Sequence, residues 1–176
     1  MSAISLDQLR AAVRNIPDFP QSGIQFKDIT PVLGDAVLFS ALIDHVAAPY
    51  RPGDVDVVVG IDARGFILAA ATAYRLQAAF APVRKKGKLP YQTLEQSYDL
   101  EYGSNTVAMH ADAIRTGQRI LLVDDLLATG GTAGASASLI ERLGGRIIEA
   151  VFFIELAFLN GRSKLQGFPV RTLVAF

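Results

Sequence analysis

Apolar positions along this chain alternate between two patterns, helical spacing of three to four residues and short unbroken runs. Ser5 and Gln8 match a capping box, and Leu6, Leu9, Val13 and Ile16 follow at near-helical spacing. A first helix is therefore expected to stop by Asn15 or Ile16, ahead of Pro17 and Pro20. "FPQSGIQFKDITPVLGD" has no period and reads as irregular chain. Asp35 is placed to cap a second helix reaching about Ala48, with Leu38, Ala41, Leu42 and Val46 inward.

From there the grammar repeats. "VDVVVGID" reads as a β-branched strand, "ARG" as a turn and "FILAAATAYRL" as a helix, with "AAFAPVR" as the next strand. "KKGKLPYQTLEQSYDLEYGSN" shows little apolar period and reads as a long loop, and "TVAMHADAI" as an edge or hairpin strand. "RILLVDD" is a third core strand, "TAGASASLIERLGG" a helix closed by glycines, and "RIIEAVFFIEL" and "RTLVAF" two more strands. Strands alternating with helices predict an α/β fold: a mostly parallel twisted sheet with helices on both faces. Ligands of such sheets sit at the carboxyl ends of the strands.

Composition narrows the chemistry by exclusion. The 176 residues suit a single domain, 51% hydrophobic and 19% charged, with zero formal net charge. No global field attracts nucleic acid or an anionic membrane, so neither partner is expected and any anion site must be local. There is no cysteine, and the two histidines, His45 and His110, are far apart, so thiol chemistry and a histidine metal centre are not expected. "MSAISLDQLR" lacks a basic region followed by an apolar stretch, and "AVFFIELAFL" is interrupted by Glu155 and too short to span a bilayer. A cytoplasmic location is the expectation.

"ILLVDDLLATGGTAG" concentrates the candidate chemistry. Ala128, Gly130 and Gly131 leave room for an anion at the backbone, Thr129 and Thr132 add hydroxyl donors, and the following helix presents its amides and positive dipole end. The loop lacks the lysine of a triphosphate-binding GxxxxGK[ST] and is not GxGxxG. Asp124 and Asp125 would repel bare phosphate. They suit vicinal ribose hydroxyls, or a magnesium ion carried by a polyphosphate. Together the loop and the acids describe a site for a phosphorylated ribose.

Asp124-Asp125 with Ala128-Thr129-Gly130-Gly131-Thr132 resembles the phosphoribosyl-pyrophosphate signature of type I phosphoribosyltransferases. "FPQSGIQFKDITPVL", "ARGF", "VRKKGKLP", "SYDLEYG" and "VDDLLATGGT" occur in the order found in the adenine-using branch, so the resemblance covers nearly the whole chain. It implies a reaction of adenine with 5-phosphoribosyl 1-pyrophosphate that gives AMP and pyrophosphate, with Mg2+ carried by the pyrophosphate substrate and not by a protein site. It also implies a homodimer, an N-terminal base-binding hood over 1–34, and a flexible lid over about 86–104.

Within that resemblance, Arg64 grips pyrophosphate with its two-pronged guanidinium, in a loop expected to hold a non-proline cis peptide at Asp62–Ala63. Arg84, Lys85 and Lys88 neutralise the leaving pyrophosphate, whereas Lys86 alone reads as a solvated charge. Glu101 in "DLEYG" lies near the purine, bonding N7 or managing a proton, and Tyr102 closes against the sugar phosphate. Phe26 stacks on the base with Leu126 over its other face, and backbone groups near Gln25 and Lys27 select adenine. Here the sequence departs from the family, in which a small apolar residue and arginine commonly stand at these two positions. Gln25 offers a group that could reach a 6-oxo purine. Transfer to hypoxanthine or xanthine, nucleic-acid-binding regulation on the same fold, and nucleotide binding without catalysis are the competing readings.

Overall fold

The computed structural model describes residues 4–99 and 103–176, in two compact units, Met1–His45 and Val46–Phe176. In the first, Ser5 caps helix α1 (Leu6–Ala12) with the expected reciprocal box. Its hydroxyl accepts from the Gln8 amide at 3.2 Å, and the Gln8 side chain accepts from the Ser5 amide at 2.9 Å. The helix stops earlier than its apolar spacing suggests. Residues expected to extend it instead form β1 (Arg14–Pro17), antiparallel to β2 (Gln25–Asp28). Both strands have four residues, too few to display a period of two against the flanking chain. Their turn is held by the Asp18 carboxylate, which accepts from the Gly23 amide at 2.7 Å.

Asp28 accepts from both the amide (2.9 Å) and hydroxyl (2.8 Å) of Thr30, and Pro31 stands in the first turn of α2 (Thr30–Leu33). This short helix also lies in the stretch expected to be irregular. Asp35 caps α3 (Ala36–Ala47) as expected, accepting from the amides of Val37 (2.8 Å) and Leu38 (3.0 Å).

The second unit contains β3 (Val57–Ile61), α4 (Gly65–Leu76), β4 (Ala79–Lys85), β5 (Thr93–Asp99), β6 (Ser104–His110), β7 (Arg119–Leu127), α5 (Gly131–Arg142), β8 (Arg146–Glu155) and β9 (Val170–Ala175). Its seven strands are ordered β5-β6-β4-β3-β7-β8-β9, parallel except for the β5–β6 hairpin and its junction with β4. Strand β3 is buried throughout, so its two faces need two covers. Gly60 faces α4: a Cβ there would meet Ala69 Cβ at 2.7 Å. Val57, Val59 and Ile61 point the other way and share one core with Ile120, Leu122, Phe152 and the α5 residues Leu139 and Ile140. Helices therefore cover both faces of a mostly parallel sheet.

Strand β5 lies inside the stretch expected to be a loop. All seven of its residues pair with β6, and Leu94, Gln96 and Tyr98 turn their sides toward partial burial. A glutamine at the middle inward position dilutes the alternation that would have marked it.

The order of connections fixes where a ligand can sit. From β3 the chain moves to β4 and the hairpin on one side, then returns to β7 on the other. Loops leaving the carboxyl ends of β3 and β7 thus diverge and open a crevice between them.

Candidate functional site

That crevice is a cleft of about 320 Å³, lined by Ile61–Arg64 after β3 and by Asp124–Ala133 from the end of β7 into α5. Two apolar strands ending side by side in polar loops place the groups. The structure brings together Arg64, Asp124, Asp125, Leu126, Ala128, Thr129, Gly130, Gly131 and Thr132. The Asp62–Ala63 peptide is cis.

Asp124 and Asp125 differ. Asp124 accepts from the Asp125 amide at 2.9 Å, and Gly65 lies so close that a Cβ there would collide with Asp124 Oδ1. Burial pushes the Asp124 carboxyl well above the usual range, and the neighbouring charge of Asp125 adds to this. Dense protein surrounds the group, yet part of its surface stays open to the cleft. Asp125 is also raised by burial, with the Arg64 guanidinium opposing that shift. Arg64 Nε stands 2.8 Å from Asp125 Oδ2, although that oxygen lacks an aligned hydrogen bond. A buried carboxylate oxygen in an ion pair without an aligned donor suits a ligand hydroxyl.

Beside the acids, Gly130 takes φ 77° to turn the chain from β7 into α5. Only a residue without a side chain fits there twice over, because a Cβ would also strike the Gly161 carbonyl. The first amides of α5 have no helical carbonyl to bond and point outward at the loop. Loop amides, a helix dipole and threonine hydroxyls have the chemistry to receive an anion, and the acids next to them can accept from vicinal hydroxyls.

Sequence reading missed Tyr98. The Thr132 hydroxyl donates to the Tyr98 hydroxyl at 2.8 Å, and a Cβ on Gly131 would lie 3.0 Å from the Tyr98 ring. Arg142 strengthens this docking of β5 on α5, donating to the Glu95 carbonyl at 2.8 Å. "SYDLEYG" carried the signal, but only the pairing with β6 shows which way Tyr98 faces.

The basic segment divides. Arg84 Nε bonds Asp62 Oδ2 at 3.3 Å and Nη1 donates to the Lys88 carbonyl at 3.2 Å. This ties the end of β4 to the loop after β3. Lys85 and Lys88 are not in the cleft lining. Lys86 pairs with Glu95 at 2.7 Å. Glu101 and Tyr102 fall outside the described residues.

Gln25, Phe26 and Lys27 belong to the N-terminal unit. Asn15 donates to Gln25 Oε1 at 2.6 Å, and Lys27 Nζ donates to Asn15 Oδ1 at 2.9 Å. These side chains share one face of the hairpin. Phe26, one residue out of phase, uses the other face and meets Phe19 edge-on, with centroids 5.2 Å apart.

Among the described residues, no group of three or more His, Asp or Glu side chains is placed to hold a metal ion by itself. No helix there is long and apolar enough to cross a membrane.

Comparison with known proteins agrees with this chemistry. Residues 38–165 match the family described as phosphoribosyl transferase domain. The adenine phosphoribosyltransferase of Brucella anthropi is 54% identical over 170 residues, covering 96% of this chain and 94% of that protein. The crystal structure of adenine phosphoribosyltransferase from Rhodothermus marinus superposes with a TM-score of 0.92 at 52% identity, over 97% of this chain and 98% of that one. The Saccharomyces cerevisiae enzyme, solved with adenine and D-2,5-dideoxy-2,5-imino-altritol 1,6-bisphosphate, gives a TM-score of 0.91 at 39% identity, over 96% and 98%.

Proposed function

The chain belongs to the phosphoribosyl transferase family, and from that premise we infer the reaction it performs in purine salvage. It transfers the phosphoribosyl group of 5-phosphoribosyl 1-pyrophosphate to adenine, giving AMP and pyrophosphate. The observation that carries this reading is the paired carboxylates beside the amino end of α5, in the crevice between β3 and β7. A ribose 5-phosphate carries a diol and a phosphomonoester that match these two neighbouring groups.

In the reaction, a bond forms from adenine N9 to the anomeric carbon as the bond from that carbon to the pyrophosphate oxygen breaks, with inversion and oxocarbenium character. Asp124 and Asp125 accept from the ribose hydroxyls and hold the ring. The loop Ala128–Thr132 holds the 5-phosphate. Arg64 takes pyrophosphate oxygens, exchanging part of its contact with Asp125, and Arg84, Lys85 and Lys88 offset charge on the departing group. Glu101 receives or relays the proton lost from the base, and Tyr102 helps exclude water. Mg2+ carried by the pyrophosphate substrate would lower its charge. Positioning and charge stabilisation do most of the catalysis, because no group on the protein forms a covalent intermediate.

Phe26 supplies the flat apolar face that stacks on adenine. The Asn15 bridge supports this substrate over a 6-oxo purine, because it draws Gln25 and Lys27 to the face opposite Phe26. Backbone groups of β2 are left to read the base edge. A homodimer is supported by the outer side of α4, where Tyr74 is 89% exposed and Ile67, two turns earlier, 44% exposed. A cytoplasmic location suits an enzyme of soluble nucleotide precursors.

The test is product formation from 5-phosphoribosyl 1-pyrophosphate and Mg2+ with adenine, hypoxanthine, guanine, xanthine and orotate in turn. Strong preference for adenine is expected. Turnover of a 6-oxo base instead overturns the base assignment, and no turnover with any base overturns the reaction.

A further inference from the structure

The phosphate loop rests on another piece of backbone. Gly161 begins a 3-10 turn, Gly161–Lys164, and is buried directly behind Ala128 and Gly130. A Cβ on Gly161 would strike the Ala128 carbonyl and lie 3.0 Å from the Gly130 nitrogen. A Cβ on Gly130 would strike the Gly161 carbonyl in return. The same turn reaches α5, since a Cβ on Gly134 would lie 3.2 Å from the Lys164 carbonyl oxygen. Three glycines thus let two main chains meet with no side chain between them.

The turn is itself held. Arg162 makes a two-pronged pair with Glu155, Nε to Oε1 at 2.7 Å and Nη2 to Oε2 at 2.8 Å. It also donates to the Val170 carbonyl at 2.7 Å and the Thr172 hydroxyl at 2.8 Å, and that hydroxyl donates to Glu155 at 2.9 Å. Glu155 ends β8, level with Leu127 at the end of β7, and the Leu156 amide donates to the Leu127 carbonyl at 2.9 Å. Every donor of this fork ends on β8 or on the chain entering and forming β9, so the turn is pinned to the rigid side of the sheet.

We propose that Glu155 and Arg162 are positioning residues, which hold the Gly161 turn against the back of the 128–131 loop and thereby set its amides for the 5-phosphate. Neither side chain lines the cleft, so neither is a catalytic residue. The inference rests on the reaction assigned above and adds to it a specific dependence: loosening the clamp weakens phosphate capture and leaves base recognition alone.

The experiment compares wild type, Glu155→Gln, Gly161→Ala and Thr172→Val. It measures melting temperature, kcat, separate KM values for adenine and 5-phosphoribosyl 1-pyrophosphate, and calorimetric affinities for AMP and adenosine, which differ only by the phosphate. Gly161→Ala and Glu155→Gln are expected to raise the phosphoribosyl pyrophosphate KM about tenfold, short of the ~100-fold that an ångström of misplacement costs. AMP affinity falls in parallel, while adenosine affinity and the adenine KM hold. Thr172→Val removes one hydroxyl and is expected to act in the same direction by a smaller factor, which keeps the question open if Gly161→Ala does not fold. A lower melting temperature with unchanged KM values, or equal losses for AMP and adenosine, overturns the proposal. If wild type does not join adenine to the sugar, the reaction assignment fails, and the AMP-against-adenosine contrast still decides the clamp.

Discussion

Strands β3 and β7 carry an acid–arginine pair at each of their two ends, and the pairs could hardly differ more. At the amino ends, Asp56 accepts from Arg119 three times, from the amide at 2.7 Å, Nε at 3.0 Å and Nη2 at 2.7 Å. Those bonds hold the Asp56 carboxyl down at about 2. At the carboxyl ends, Asp125 and Arg64 stand 2.8 Å apart without an aligned bond, and burial raises both aspartates. One end is a closed pair that fastens two strands. The other keeps acceptor capacity that folding alone does not fill, which is the arrangement a binding site needs.

The largest effect should come from removing the open pair's cation. Arg64→Ala is expected to lower kcat/KM for 5-phosphoribosyl 1-pyrophosphate by about 100-fold or more, the scale of losing one preorganised charge stabiliser. Steady-state kinetics would check it, and unchanged turnover would mean that pyrophosphate is held elsewhere.

Asp124→Asn separates binding from stability. The raised pKa means that ionised Asp124 destabilises the fold, so the asparagine variant should melt at a higher temperature near neutral pH while binding the ribose more weakly. The sign also fixes the pH dependence. A carboxyl with a raised folded value takes up protons more readily folded than unfolded, so its cost appears as pH rises from the ordinary aspartate range through the raised value. Affinity for the diol should move oppositely, increasing over that window as the carboxylate forms. Adenosine carries the diol without a titrating phosphate, so calorimetry with it against pH reads the effect directly. A flat profile would show that Asp124 is already ionised throughout.

How much of this contrast the sequence discloses depends on how local each feature is. Two acids after an apolar run and before TGGT are contiguous, so the loop, the adjacent carboxylates and the mostly parallel sheet could be read from spacing. Tyr98 is not of that kind, since its partner Thr132 lies 34 residues away and its strand is disguised by Gln96. Glu155 read only as an interruption in a greasy segment, because its meaning depends on Arg162 and Thr172. The β1–β2 hairpin was hidden by strands of four residues. The bridge from Asn15 to Gln25 and Lys27 was equally hidden, because it depends on the register of β1 against β2.

Tyr98→Phe sharpens the comparison more gently. It removes the hydroxyl that occupies Thr132 and leaves the ring against Gly131. Two consequences oppose each other: Thr132 becomes freer for phosphate, and β5 is held less firmly on α5. A neutral hydrogen bond is worth about 1 kcal/mol, so the KM for 5-phosphoribosyl 1-pyrophosphate should change by no more than about fivefold. A rise would assign Tyr98 to docking the hairpin, and a fall would make it a competitor for the phosphate.

The smallest effect is expected at the closed pair, and it is the control that gives the comparison its meaning. Asp56→Asn removes an acid of the same type from the same two strands, at the end that lacks the cleft. Catalytic constants should stay at wild-type values. Stability should respond, because Asp56 has a folded pKa below its ordinary 3.8. Such a carboxylate contributes fully above the unfolded value and loses its contribution as pH falls through the folded one, about 2. The variant should therefore be slightly less stable than wild type near neutral pH, and the gap should narrow as pH drops below about 4. Because the pair is partly open to solvent, salt should shrink the gap as well. Chemical denaturation at several pH values would follow both trends. A loss of turnover in this variant would mean that the amino ends of β3 and β7 are not mechanically separate from the site, and the division between fastening and binding ends would fail.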